Sequence, residues 1–208
     1  MVRKLTYLRE TPSQTAGPYV HIGLAPAYAG FEIFENNFTN TVAGPDVPGE
    51  RIVIEGCVYD GTGTPLRDVL LESWQADANG HYRHPDDPNH GPADDGFRGW
   101  GRMCSHFETG VFSLETIKPG PVPGRNGRLQ APHISLWIVA RGINIGLQTR
   151  LYFGEETDAN AADPVLNLIE QESRRQTLIA QPADGTGTAT HRFDIHLQGE
   201  KETVFFDV

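Results

Sequence analysis

Gln130-Ala-Pro-His-Ile-Ser-Leu-Trp-Ile-Val-Ala-Arg141 is the stretch on which the reading of this chain turns. Beyond Pro132 it is dense in β-branched and aromatic residues, the composition of a strand. Side chains on a strand alternate between faces. His133, Ser135, Trp137, Val139 and Arg141 therefore share one face, and Ile134, Leu136, Ile138 and Ala140 share the other. The second set is a plain core face. The first is not, because a strand presents two metal ligands at this spacing, yet the second position holds only a serine hydroxyl. A hydrogen-bonded core histidine is the commoner reading of such a pair. Arg141 ends the strand before Gly142, where it is either a surface cation or a partner for a carboxylate.

Further short runs with strand character flank this one, at residues 51–59, 69–75, 110–117, 147–153, 190–197 and 203–206. Asp60-Gly-Thr-Gly63 and Gly142-Ile-Asn-Ile-Gly146 are turns between them. The 23 glycines and 15 prolines punctuate the rest, with long polar loops over 77–101 and 118–132. Asp163-Pro164 reads as an N-cap with proline in the first turn, opening one or two short helices within 165–180. Together these features predict an all-β protein, a β-sandwich core with long loops. Residues 1–50 lack periodicity and read as an N-terminal arm with loops, ahead of a sandwich domain over 51–208.

With 27 acidic against 17 basic residues, the net charge is -10, which argues against nucleic acid or an anionic membrane as partner. No apolar run approaches the ~20 residues of a membrane span, and none near the start resembles a signal peptide. Cys57 and Cys104 imply no disulfide framework, so the expected compartment is the cytoplasm.

Candidate chemistry beyond the opening strand is sparse. The loop Gly80-His-Tyr-Arg-His-Pro-Asp-Asp-Pro-Asn-His90 offers His81, Tyr82, His84, Asp86, Asp87 and His90, but in no defensible metal spacing, and a polar surface loop is the commoner reading. Asp194 and His196 share a face that reads as solvated. The adjacent pairs Asp86/Asp87 and Asp94/Asp95 are too close in sequence to flank one substrate as glycosidase carboxylates do.

Several segments, taken in order, resemble the signatures of intradiol ring-cleaving dioxygenases. They are Leu71-Glu-Ser-Trp-Gln-Ala-Asp-Ala-Asn-Gly-His-Tyr-Arg-His84, Thr116-Ile-Lys-Pro-Gly-Pro121, Ala131-Pro-His-Ile-Ser135, Thr149-Arg-Leu-Tyr-Phe153 and His191-Arg-Phe-Asp-Ile195. The resemblance implies a sandwich whose site is built from loops. In catalytic members it implies a ferric ion held by two tyrosines and two histidines. Those positions fall on Tyr82, Val122, His133 and Ser135, so one tyrosine and one histidine are replaced. An arginine of the family's site falls on Gln130, and a glutamine on Arg150. Losing a phenolate and an imidazole should leave a trivalent ion poorly held. The chain is therefore expected to bind no metal and to carry no catalytic residue of its own.

Within the family, Thr11-Pro-Ser-Gln-Thr-Ala-Gly-Pro-Tyr-Val-His21, Ala140-Arg-Gly-Ile-Asn-Ile145 and Glu202-Thr-Val-Phe-Phe-Asp207 look like the alpha-type chain of a two-chain member. That resemblance implies a hetero-oligomer whose beta chain binds Fe(III) and cleaves 3,4-dihydroxybenzoate with O2. It puts Thr15, Gly17, Pro18 and Arg141 near the mouth of the beta-chain site as substrate-binding residues, and residues 1–50 against that partner. Two other readings stay open: a self-sufficient dioxygenase using Tyr82 and His133 with His81 or His84, and a sandwich that binds without catalysis.

Overall fold

The computed structural model describes residues 14–17, 19–35, 38–87, 96–124, 127–183 and 187–207. After a short helix α1 (Tyr19–Leu24) come β1 (Arg51–Tyr59), β2 (Leu70–Gln75), β3 (Trp100–Cys104), β4 (Val111–Ile117), β5 (Val122–Pro123), β6 (Leu129–Gln130), β7 (His133–Val139) and β8 (Leu147–Phe153). Helices α2 (Thr157–Ala162) and α3 (Glu172–Arg175) lead to β9 (Ile179–Ala183), β10 (Ala189–Arg192) and β11 (Ile195–His196). The main sheet runs β11-β1-β10-β9-β8-β7-β2-β3, with β4 on β1. Strand β9 pairs antiparallel with β10 and parallel with β8, and so belongs to both layers of a sandwich.

Between the layers lies one apolar core. Ile52, Ile54, Phe112 and Leu114 from one side meet Leu71, Ile134, Leu136, Ile138 and Leu151 from the other. The alternation in the opening stretch is the cause, since Ile134, Leu136, Ile138 and Ala140 are all buried. Part of the N-terminal region joins this core, with Val42, Ala43 and Val47 packed in the same cluster. Arg51 holds that segment by donating to the carbonyls of Ala43, Gly44 and Val47. Arg102 holds α1: it donates to Leu24 O at 2.6 Å, pairs with Glu72, and lies over the rings of Phe38 and Trp100.

Four sequence expectations are corrected. Strand β3 was not expected, because its five residues sit at the end of a polar loop and include Gly101. That glycine is required by close packing, since a Cβ there would press on Val42 and Ser73. Residues 203–206 form no strand and share one bridge with β8, Phe206 to Gln148. The region 165–180 is a 3-10 turn at Leu166–Leu168, the single turn α3, a 3-10 turn at Gln176–Leu178 and the start of β9. Its apolar residues keep no common face: Leu166 and Leu178 are buried while Leu168 is 78% exposed. Asp163 does cap it, as Oδ1 accepts from the N–H groups of Val165 (2.7 Å) and Leu166 (2.8 Å).

The fourth correction is the run 190–197, which is split at Phe193-Asp194. Register along β1 is nonetheless kept, with Glu55 opposite Arg192 and Val58 opposite Ile195. At the split, Cys57 N–H donates to the Asp194 carboxylate (2.9 Å) in place of a backbone carbonyl. Phe193 turns its ring into the core and its carbonyl toward Gly56, where a Cβ would collide with that carbonyl. Among the described residues no helix is long and apolar enough to cross a membrane, and Cys57 and Cys104 are buried and free.

Gly56→Ala should lower the unfolding free energy by about 2–3 kcal/mol in urea titrations, because backbone must move to admit the methyl. Gly23→Ala, which meets nothing within 4 Å, should stay within ~0.5 kcal/mol of the parent. Equal effects at the two positions would refute the packing account.

Candidate functional site

The outer face of β7 is where the chemistry-bearing residues gather. Strand pairing sets His133 opposite Tyr152 and Ser135 opposite Arg150 on β8, and Ser135 opposite Trp74 on β2. Tyr82 comes from the loop after β2 and stacks on Trp74, with ring centroids 5.9 Å apart and planes 3° apart. Gly80 makes this possible. Its φ is 82°, and its bare Cα lies against the Pro121 carbonyl, where a Cβ would not fit. The Asp77 turn is thereby pressed onto the Lys118-Pro-Gly-Pro121 loop. Tyr82 and Val122 then line one cavity of about 530 Å³ with Trp74, His84 and Asp87.

All four positions that the resemblance singled out are thus brought together. The Tyr82 hydroxyl lies 3.5 Å from His133 Nε2. His133 Nδ1 lies 2.7 Å from the Ala131 carbonyl, which can only accept, so Nδ1 carries the proton and Nε2 faces Tyr82 with its lone pair. Burial, and then the nearby Arg150 cation, push the His133 pKa down to about 4. Burial raises that of the Tyr82 phenol. At the other two positions stand the buried alkyl group of Val122 and the Ser135 hydroxyl.

Arg150 is the residue that sequence reasoning left without a role. Its Nη1 donates to Gln130 Oε1 at 2.7 Å and to the Tyr152 hydroxyl at 3.3 Å. Tyr152 in turn donates to Asp163 (3.4 Å), whose other oxygen accepts from Ala131 N–H (2.7 Å). Asp163 therefore caps the following turn and anchors the entry to β7. Only the β7–β8 register, which pattern alone does not give, reveals that Arg150 faces this site.

A ferric ion does not fit this donor set. One imidazole and one phenol remain, the phenol is biased toward its neutral form, and a guanidinium cation stands beside them. Among the described residues no group of three or more His, Cys, Asp or Glu side chains is placed to hold a metal. His81 instead lies 3.9 Å from Asp77, and His84 lies 3.8 Å from Asp86, both substantially exposed. His90, Asp94 and Asp95 fall outside the described residues.

Arg141 lies beyond the opposite end of β7, roughly 26 Å from His133 at ~3.3 Å per residue. It is 68% exposed and ion-paired with Asp68. The next residue, Gly142 (φ 85°), donates its N–H to Thr15 Oγ1 at 2.7 Å. The Gly17 carbonyl accepts from Val20 N–H at 3.0 Å, opening α1. Thr15 and Arg141 are therefore neighbours, while Pro18 lies outside the described residues. His21, in α1, is buried against Phe107, with ring centroids 5.6 Å apart.

Comparison with known proteins agrees with this geometry. Residues 24–199 match the Dioxygenase family. The chain is 54% identical to the protocatechuate 3,4-dioxygenase alpha chain of Pseudomonas putida over 96% of its own length and 97% of that chain. It is 34% identical to the protocatechuate 3,4-dioxygenase beta chain of Burkholderia cepacia, covering 86% of this chain and 79% of that one. Among solved structures, the dioxygenase domain of a dioxygenase–carbohydrate-binding fusion from Streptomyces sp. SirexAA-E is similar at 25% identity and a TM-score of 0.55, over 94% of this chain and all of that one.

A neutral His133 makes a pH prediction. With a folded pKa near 4, below the unfolded value of about 6.5, its contribution to stability is complete above about pH 6.5 and fades as pH falls toward 4. Its ring resonances should hold their neutral positions from about pH 8 to about pH 5.5 in an NMR titration. Arg150→Gln should move the midpoint upward, and an unchanged midpoint would remove Arg150 as a cause.

Proposed function

The chain belongs to the Dioxygenase family, and on that premise we propose that it is the non-iron-binding alpha subunit of a protocatechuate 3,4-dioxygenase, an assembly that cleaves 3,4-dihydroxybenzoate with O2 to 3-carboxy-cis,cis-muconate in the cytoplasm. The observation that carries this reading is the altered site, with Tyr82 and His133 still in contact, Val122 and Ser135 unable to replace the missing ligands, and Arg150 adding a positive charge. In the assembly, Fe(III) held by the beta chain supplies Lewis-acid activation of the catechol. This chain supplies surface, shape and field.

The surface of the N-terminal region supports a partner. Tyr19, Phe31, Ile33, Phe34 and Phe38 are all exposed, Tyr19 at 83% and Ile33 at 62%. So many large apolar side chains within twenty residues of an acidic chain are the mark of a surface buried by another subunit. In this reading residues 1–50, apart from the segment around Val42, Ala43 and Val47 that joins the chain's own core, lie against the beta chain.

Thr15, Gly17, Pro18 and Arg141 then border the mouth of the beta-chain site. Arg141 is too far from His133 to act on its own chain's site, but an exposed guanidinium at the strand end attracts the carboxylate of an aromatic acid to a neighbouring one. Asp68 holds the Nε side of the group and so fixes its direction. Thr15 fixes the turn that follows it.

Co-expression with a family member that retains two tyrosines and two histidines tests the assignment. The two chains should co-purify, with about one iron per pair, and the alpha chain alone should retain almost none. Near-stoichiometric iron in the isolated alpha chain would sink it. In the complex, Arg141→Ala should raise KM for 3,4-dihydroxybenzoate on the order of 5-fold with kcat little changed, and narrow the preference over catechol. An unchanged KM and preference would remove Arg141 from substrate attraction.

A further inference from the structure

A second cavity, of about 640 Å³, lies over the outer face of β7 and β8. Gln130, Ser135, Gln148 and Arg150 line it on the strand side, and Leu168 and Phe206 on the other. We propose that this cavity binds a small aromatic monocarboxylate, with Arg150 as the group that receives its carboxylate. Neither the family nor the subunit reading requires such a ligand on this chain.

The argument starts from the unspent charge on Arg150. Both of its protein bonds use Nη1, to Gln130 and Tyr152. Among the described residues, Nε and Nη2 have no protein acceptor. Arg102, Arg141, Arg174 and Arg192 form ion pairs with neighbouring carboxylates among the described residues, and Arg150 does not. The buried carboxylate of Asp163 is occupied by Tyr152 and by the N–H groups of Ala131, Val165 and Leu166. Arg150 thus makes no direct ion pair: the Asp163 carboxylate reaches it only through the Tyr152 hydroxyl, and the half-buried Nε–Nη2 edge is left open to an anion.

The bonds to Gln130 and Tyr152 also fix the plane of the guanidinium. That leaves an oriented two-nitrogen edge, the geometry that a carboxylate takes in bidentate fashion. The Ser135 hydroxyl and the Gln148 amide stand in the same wall as further donors. Leu168 and Phe206 give the opposite wall an apolar surface suited to a ring. The volume falls in the range of small-molecule sites. One lining residue opposes the ligand: Asp207 is exposed, unpaired with Arg150, and stands where an anion would approach.

The test uses the purified full-length chain, with benzoate as probe and benzamide as its neutral isostere, by isothermal titration at low chloride. No second chain enters the readout, so the result is independent of the subunit reading. Benzoate should bind saturably with a stoichiometry of about one, and benzamide at least about 10-fold more weakly. Arg150→Gln should weaken benzoate by about 10-fold or more and Arg150→Lys by less, with both variants checked for an unchanged thermal melt. Asp207→Asn should tighten binding about 2-fold, and Arg67→Gln, at an exposed arginine outside the cavity, should leave it unchanged. No binding to the parent chain, equal binding of benzamide, equal binding to folded Arg150→Gln, or loss on Arg67→Gln would each overturn the proposal. If Arg150→Gln fails to fold, the Asp207→Asn comparison decides in its place.

Discussion

A slip of one residue between β7 and β8 would turn Arg150 and Tyr152 into the core and Thr149 and Leu151 out of it. The register that prevents this is held from both sides. Leu136, Ile138 and Leu151 are buried on the core face, and the outer face links Gln130, Arg150, Tyr152 and Asp163 by hydrogen bonds. Asp163 also ties the entry of β7 to the turn that follows α2. The same pairing therefore fixes the core and decides what the outer face contains. The neutrality of His133 follows first from its burial and then from the guanidinium being on that face.

The resemblance to intradiol dioxygenases gives that guanidinium a meaning. Where catalytic members are expected to carry an arginine at position 130 and a glutamine at 150, this chain carries them exchanged, and the structure hydrogen-bonds the two. Exchange keeps one cation and one amide in the site but moves the charge across the strand pair. Together with Val122 and Ser135 it converts a place suited to a trivalent cation into one suited to an anion. A polar site on a sheet face cannot simply be emptied, because its remaining donors and acceptors still need partners. Tyr82 answers His133, and Ala131 takes the ring proton on the other side.

Much of the fold was legible because alternation is a strong signal where one strand face is buried. The strands over 51–59, 111–117, 133–139 and 147–153 appear where their patterns predict, and Asp60 closes its turn by accepting from Thr62 and Thr64. What escaped depends on neighbours. Strand β3 is made by pairing with β2, its own residues carrying little pattern. The break at Phe193-Asp194 follows from Gly56, over a hundred residues away. The site divides in the same way: Tyr82, Val122, His133 and Ser135 could be named from ordered motifs, but Arg150 could not be given a face without the register. Trp74 stacks on Tyr82 beside His133, a contact that its place in the strand 69–75 does not reveal.

The two ends of β7 now have separate electrostatic characters. At the His133 end the charge is half-buried, oriented by Gln130 and Tyr152, and enclosed by the chain's own side chains. At the Arg141 end it is exposed and steered only by Asp68 and the Thr15-bound turn. An enclosed, oriented cation discriminates by geometry and keeps what fits it, whereas an exposed one acts over a Debye length of about 8 Å and hands its anion on. In the proposed assembly, a subunit without a metal of its own has use for the second kind of charge toward a neighbour. The first kind holds the β7–β8 register through Nη1, and its Nε–Nη2 edge suits an anion that binds within the chain itself.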